Sequence, residues 1–143
     1  MVPASGMGLY VHVPFCKTKC PYCDFNTYQG IEDLMDPFLP ALRAEIECWG
    51  ETLAHPAVKS VFFGGGTPSY LPAGYIEQFL ASIQTSFQVN PAAEITIEAN
   101  PGDLDAAACA SILGQGVNRL SIGVQSLDNS LLHLLGRRHQ ASE

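Results

Sequence analysis

An α/β fold with parallel strands is predicted by three features of this 143-residue sequence. Short apolar runs alternate with longer segments of helical spacing, in the order βαβαβαβα. The connections between them are short, as in folds that cover a parallel sheet or barrel with helices. The residues that break the pattern all lie at the C-terminal ends of strands: a cysteine loop, a glycine run, Glu98-Ala99-Asn100 and Gln125. In such folds functional groups gather at the C-terminal ends of the strands.

In chain order, residues 1–8 read as a short leader, and residues 9–143 as one domain or part of one. Leu9 to Val13 is the first strand, ended by Pro14. A helix is expected from Asp36, as N-cap, with Pro37 at its first position and Pro40 weakening its start. Phe38, Leu42, Ile46, Trp49 and Leu53 share one face of it. Val58 to Phe63 is the second strand, and Pro72 opens a helix with Ile76, Phe79, Leu80, Ile83 and Phe87 at helical spacing. Glu94 to Ala99 is the third strand, followed by a helix capped by Asp103 and running through Leu113. The fourth strand spans Asn118 to Val124, and Asp128 caps a last helical stretch over Leu131 to Leu135.

Successive strand residues point to opposite faces. Tyr10 and His12 oppose Leu9, Val11 and Val13; Glu94, Thr96 and Glu98 oppose Ile95 and Ile97; Arg119, Ser121, Gly123 and Gln125 oppose Leu120, Ile122 and Val124. One face is therefore aliphatic and suited to helices. The other is polar and suits a cavity wall rather than the packed Val, Ile and Leu layers of a closed barrel. A sheet with one wet, antiparallel-like face is the alternative, opposed by the helix-length connections.

The net charge of −7 and the lack of any basic run beyond Arg137-Arg138 give no nucleic-acid footprint. No stretch approaches 18 apolar residues, so neither a signal peptide nor a membrane span is expected. Five cysteines, three crowded together, fit a reducing cytoplasm better than a disulfide framework. Cys48 and Cys109 read as inert, buried small hydrophobes.

Cys16, Cys20 and Cys23 follow the first strand with spacing C-x3-C-x2-C. Three thiols on one short loop can hold an iron–sulfur cluster and leave one iron without a protein ligand. A structural zinc ion is the competing reading; it needs a fourth ligand from His12, Cys48, His55 or Cys109, none in a recognisable pairing. Gly64-Gly65-Gly66-Thr67-Pro68 lacks the spacing of a dinucleotide or phosphate loop. Its glycines let a ligand approach the backbone closely, and its amides suit a charged amino-acid group. His12 reads as a satisfied interior histidine, with iron or haem ligation as the less favoured role.

Cys-x3-Cys-x-Tyr-Cys, Gly-Gly-Gly-Thr-Pro, Glu-Ala-Asn-Pro, Ser-Ile-Gly-Val-Gln-Ser and Leu-Gly-Arg occur in this order from Tyr10 to Arg137. Together they resemble radical S-adenosylmethionine (SAM) proteins, in the branch of oxygen-independent coproporphyrinogen oxidases and their relatives. The resemblance implies a partial (βα) radical-SAM barrel of about four βα units, the N-terminal portion of a longer core domain. It implies that Cys16, Cys20 and Cys23 ligate a [4Fe-4S] cluster whose fourth iron is chelated by SAM. One electron then splits SAM to methionine and a 5′-deoxyadenosyl radical. Tyr10, Gly65, Gly66, Thr67 and Glu98 match SAM contacts. Tyr22 matches a position near the adenine, and Gln125 and Arg137 match residues that bind SAM or a second SAM-like ligand.

The oxidases of that branch carry a further cysteine two residues after the third cluster cysteine, where this chain has Phe25. The Tyr-Cys-Asp-Phe-Asn run instead resembles the sister branch of haem chaperones, which keep the cluster and deliver haem to haem proteins. That resemblance implies haem or porphyrinogen as ligand, acceptor haemoproteins, an electron donor for the cluster, and a homodimer for the full-length protein.

Overall fold

The computed structural model describes residues 6–143. Residues 1–5 of the expected leader lie outside these, and Met7 and Gly8 belong to the first strand. The strands are β1 (Met7–Val13), β2 (Ala57–Gly65), β3 (Gln88–Ala99) and β4 (Arg119–Ile122). The helices are α1 (Met35–Thr52), α2 (Tyr75–Ser86), α3 (Ala106–Gly114) and α4 (Asn129–Leu134). Single 3-10 turns, Glu32–Leu34 and Pro68–Tyr70, precede α1 and α2. The four strands form one sheet in the order β1-β2-β3-β4, every pair parallel. That removes the antiparallel-like alternative. Neighbouring strands lie beside each other because each βα unit returns the chain to the same end of the sheet.

Register carries the alternation of side chains across the sheet. Val11 pairs with Phe63 and Phe63 with Ile97, so one face is a continuous row of apolar side chains. Val11, Val61, Phe63, Ile95 and Ile97 are buried there against Ile46 of α1 and Ile76, Phe79, Leu80 and Ile83 of α2. Phe79 is fully buried, and its ring meets Phe38 and Tyr75 edge-on, with centroids 6.1 and 6.4 Å apart. Phe79→Ala is expected to cost about 3–5 kcal/mol, the usual range for truncating a core phenylalanine. Chemical denaturation of the full-length protein should show it as a lowered midpoint.

Several element boundaries differ from the sequence expectation, each for a local reason. The 3-10 turn at Glu32–Leu34 runs straight into α1, so the helix begins before Asp36. Leu34 is its N-cap without a side-chain bond, and Asp36 instead accepts a hydrogen bond from the Tyr75 hydroxyl at 2.7 Å. Helix α2 starts after Gly74, whose left-handed φ of 84° turns the chain, rather than at Pro72. Asp105 caps α3 by accepting from the Ala108 amide at 2.8 Å, because Asp103 is already engaged by Arg138 at 2.7 Å. Asp128 caps α4 as expected. Strand β3 starts at Gln88, six residues early; the irregular stretch between Val89 and Glu94 absorbs Pro91, which cannot donate to a ladder.

The aliphatic faces are not covered evenly. β4 ends at Ile122, two residues before the expected Val124; Leu120, Ile122 and Val124 remain exposed, so this stretch lacks, among the described residues, the helix packing that its alternation predicts. Ile46 of α1 is buried, whereas Trp49 of α1 and Leu53, just past its end, stay exposed beside an apolar groove that runs along β1. Cys48 is exposed rather than buried, because it sits between the core-facing positions Ile46 and Gly50 of α1.

Candidate functional site at the strand ends

The cysteine loop is closed at its base by backbone pairing. Phe15 bridges Tyr28 in parallel fashion; the Cys16 amide donates to Tyr28 O at 2.8 Å, and the Tyr28 amide to Pro14 O at 2.7 Å. Inside the loop, the Cys23 amide donates to Cys20 O at 3.0 Å. Lys19 draws the two arms together, its ammonium donating to Phe25 O at 3.1 Å and Thr27 O at 2.8 Å. Its own amide donates to Gln29 Oε1 at 2.6 Å. Lys19 was not legible as a structural residue, because its partners are backbone carbonyls that carry no sequence signature.

The glycine turn packs directly on the start of this loop. The Gly66 amide donates to Val13 O at 2.7 Å and the Thr67 amide to Phe15 O at 2.8 Å. A Cβ on Gly64 would stand 3.0 Å from Glu98 Oε2 and from the Tyr10 ring, and one on Gly65 2.6 Å from the His12 ring. A Cβ on Gly66 would run into the Phe15 carbonyl. Backbone at Gly66 and the left-handed φ of 110° at Gly65 therefore require glycine before any ligand is considered, whereas the neighbours of Gly64 are side-chain ends that can move.

A cleft of about 160 Å³ opens where these segments meet. Cys16, Cys20, Cys23, Tyr22, Gly65, Gly66, Thr67, Glu98, Gln125 and Arg137 all line it, together with Phe25 and Asn100. The cysteines are all free thiols. As placed, no group of three His, Cys, Asp or Glu side chains among the described residues is close enough to hold a metal ion. None of His12, Cys48, His55 and Cys109, the fourth ligands a zinc site would need, reaches the cleft.

Tyr10 is the expected contact that stands apart. It is 59% exposed, lines the groove along β1 instead of the cleft, and lies against Phe62 at 6.1 Å. Burial, and then the nearby Glu98 charge, hold its phenol above the ordinary tyrosine pKa. His12 is fully partnered: Nε2 with Asn26 O at 2.8 Å and Nδ1 with the Tyr10 hydroxyl at 3.2 Å.

The electrostatics of the cleft centre on Arg137. Its Nη1 donates to Cys20 Sγ at 3.3 Å, and its Nη2 to Asn100 Oδ1 and Gly123 O, both at 2.7 Å. Its Nε is buried without a partner among the described residues. Tyr22 has its pKa pushed up by burial and then by hydrogen bonding with Cys20, against the opposing pull of Arg137. Glu98 Oε2 accepts from the Gly65 amide at 3.2 Å, and the Thr67 hydroxyl donates to Cys16 Sγ at 4.0 Å. A guanidinium, a hydroxyl and the Gly65 amide thus face sulfurs and a carboxylate across one small space. Such a donor set suits an anionic, sulfur-ligated group beside an amino-acid moiety.

Comparison with known proteins places the chain in a family. The chain is 36% identical over 142 residues to "Heme chaperone HemW" of Haemophilus influenzae, covering 96% of this chain and 37% of that protein. It is 41% identical over 143 residues to the HemW of Mycobacterium tuberculosis strain H37Rv, covering 96% of this chain and 36% of that protein. The chain therefore spans little more than a third of the curated relatives it matches. Among solved structures, the coproporphyrinogen III oxidase HemN of Escherichia coli, described as a radical SAM enzyme, superposes with a TM-score of 0.85 at 33% identity. That match covers 94% of this chain and 31% of the oxidase. The sequence model of the Radical SAM superfamily matches residues 10–143, and the chain belongs to that superfamily.

Proposed function

We propose that this chain carries the cofactor-binding part of a haem chaperone of the HemW type. Cys16, Cys20 and Cys23 would hold a [4Fe-4S] cluster and leave one iron for SAM. The donor set fits: three free thiols share one cleft, Arg137 and Thr67 donate towards two of them, and Arg137 Nε is buried and unpartnered among the described residues. Glu98, Gly65 and Gly66 suit the amino-acid end of SAM: a carboxylate attracts an ammonium, the Arg137 guanidinium attracts a carboxylate, and the two glycines leave the backbone open to close approach. Tyr22 stands 46% exposed at the mouth, where a ring can lie against a nucleobase. Gln125 completes the wall, whereas Tyr10 faces the groove along β1. When bound, the cluster and SAM supply one-electron radical chemistry, and the protein's part is to position them and keep solvent away.

The observation that carries the chaperone reading is Phe25. It is 68% exposed on the wall of the cleft, two residues after Cys23, where the oxidases that the sequence resembles carry another cysteine. The names of the relatives support the same reading. Its partners would be haem, acceptor haemoproteins and an electron donor, in a full-length homodimer. A cytoplasmic location agrees with the free cysteines, and no helix among the described residues is long and apolar enough to cross a membrane.

Full-length protein reconstituted anaerobically is expected to bind haem stoichiometrically and pass it to an apo-haemoprotein, read by the Soret absorbance of each partner. Failure to bind haem would overturn the chaperone reading. The second reading, oxidative decarboxylation of coproporphyrinogen III, is favoured by the likeness to HemN. Formation of protoporphyrinogen IX with SAM and a reductant would establish it.

A further inference from the structure

We propose that Asn100 is a positioning residue that aims hydrogen bonds at two cleft thiols at once, Cys16 by way of Thr67 and Cys20 by way of Arg137. The inference rests on the reading of those thiols as cluster ligands.

The partners of the amide fix its orientation. Arg137 can only donate, so Asn100 Oδ1 faces Arg137 Nη2 at 2.7 Å. Asn100 Nδ2 then donates to Thr67 Oγ1 at 3.1 Å and to Asp103 Oδ2 at 3.3 Å. Asp103 is itself held by Arg138, at 2.8 and 2.7 Å to its two oxygens. Because the Thr67 oxygen accepts from Asn100, its proton is free to point at Cys16 Sγ, 4.0 Å away. Because Arg137 Nη2 is held between Asn100 Oδ1 and Gly123 O, Nη1 is turned to Cys20 Sγ at 3.3 Å. One amide therefore sets the direction of both donors, and a chain of this kind acts as a unit.

Hydrogen bonds to cluster sulfurs are among the factors that set the reduction potential. They favour the more negative, reduced form, so losing them should make the potential more negative. Asn100→Ala releases both donors. Asn100→Asp still accepts from Arg137 but loses its donation to Asp103, whose carboxylate it now repels, and accepts from the Thr67 hydroxyl, so that proton turns away from Cys16. Thr67→Val removes only the Cys16 branch.

The test is a redox titration followed by electron paramagnetic resonance, on full-length protein reconstituted with iron and sulfide and without SAM. Asn100→Ala is expected to shift the midpoint to more negative values, and by more than Thr67→Val. Adding Thr67→Val to Asn100→Ala, or to Asn100→Asp, should shift it no further, because Asn100 acts through Thr67. An unchanged midpoint in Asn100→Ala, or a shift from Thr67→Val that adds in full to either Asn100 variant, would overturn the inference and leave the cluster reading standing. If circular dichroism shows that Asn100→Ala does not fold, the cycle of Asn100→Asp with Thr67→Val decides alone. A wild-type protein that takes up no cluster would sink the cofactor reading, and this inference with it.

Discussion

Replacing any one of Cys16, Cys20 or Cys23 by alanine should remove most of the iron that the full-length protein retains after anaerobic reconstitution. The three thiols lie on the wall of one cleft, on a loop pinned at its base by Phe15, Cys16 and Tyr28 and across its middle by Lys19. Losing one hydrogen-bond partner of a ligand typically costs about 10–100-fold in metal affinity, so losing a ligand should cost more than that. The three variants should also lose the brown colour of the wild type. Cys48→Ala and Cys109→Ala serve as controls. Cys48 is exposed on α1 and Cys109 lies on α3, and neither lines the cleft, so both variants should keep their iron. Full iron and sulfide in a Cys20→Ala protein would contradict the assignment. Loss of iron in Cys48→Ala would point to a ligand set assembled differently.

Much of this was legible because it depends on local pattern. The alternation of Val11 with His12, or of Ile97 with Glu98, gave the two faces of the sheet, and the buried row along β1, β2 and β3 follows from it. The cysteine spacing and the glycine run marked the strand ends that meet at the cleft. What was not legible depends on distant partners. Asp36 and Asp103 both look like helix caps, but Tyr75 engages one and Arg138 the other, so neither is left to cap a helix. Asn100 links Thr67 to Arg137, positions 33 and 37 residues away, and no periodicity points to that. Tyr10 shows the limit of the parity argument. Alternation put it on the polar face correctly, but a strand at the sheet edge borders two hollows, and its ring faces the groove.

Gly66→Ala should damage both stability and cofactor binding, because this glycine is where the two halves of the site touch. A Cβ there would meet the Phe15 carbonyl group within contact distance and lie 2.9 Å from Val13 O. Those atoms are backbone and cannot rotate away, so the turn and the strand end must separate. The separation weakens the amide bonds from Gly66 to Val13 and from Thr67 to Phe15, which now measure 2.7 and 2.8 Å. Overpacking of this kind costs about 1–3 kcal/mol. The functional effect should exceed that figure, because Cys16 directly follows Phe15 and Thr67 directly follows Gly66. Moving the two segments apart draws the Thr67 hydroxyl from Cys16 and shifts the first thiol relative to the other two. Gly114→Ala provides the comparison: at the end of α3 its added methyl meets nothing within 4 Å, and its φ is not left-handed. That variant should be neutral or slightly stabilising, since alanine restricts the unfolded chain. Thermal unfolding and retained iron, measured on both full-length variants, separate a specific contact from a general cost of replacing glycine. If Gly66→Ala matched Gly114→Ala in both measurements, the close approach of turn to loop would not be what holds the cysteine loop in place.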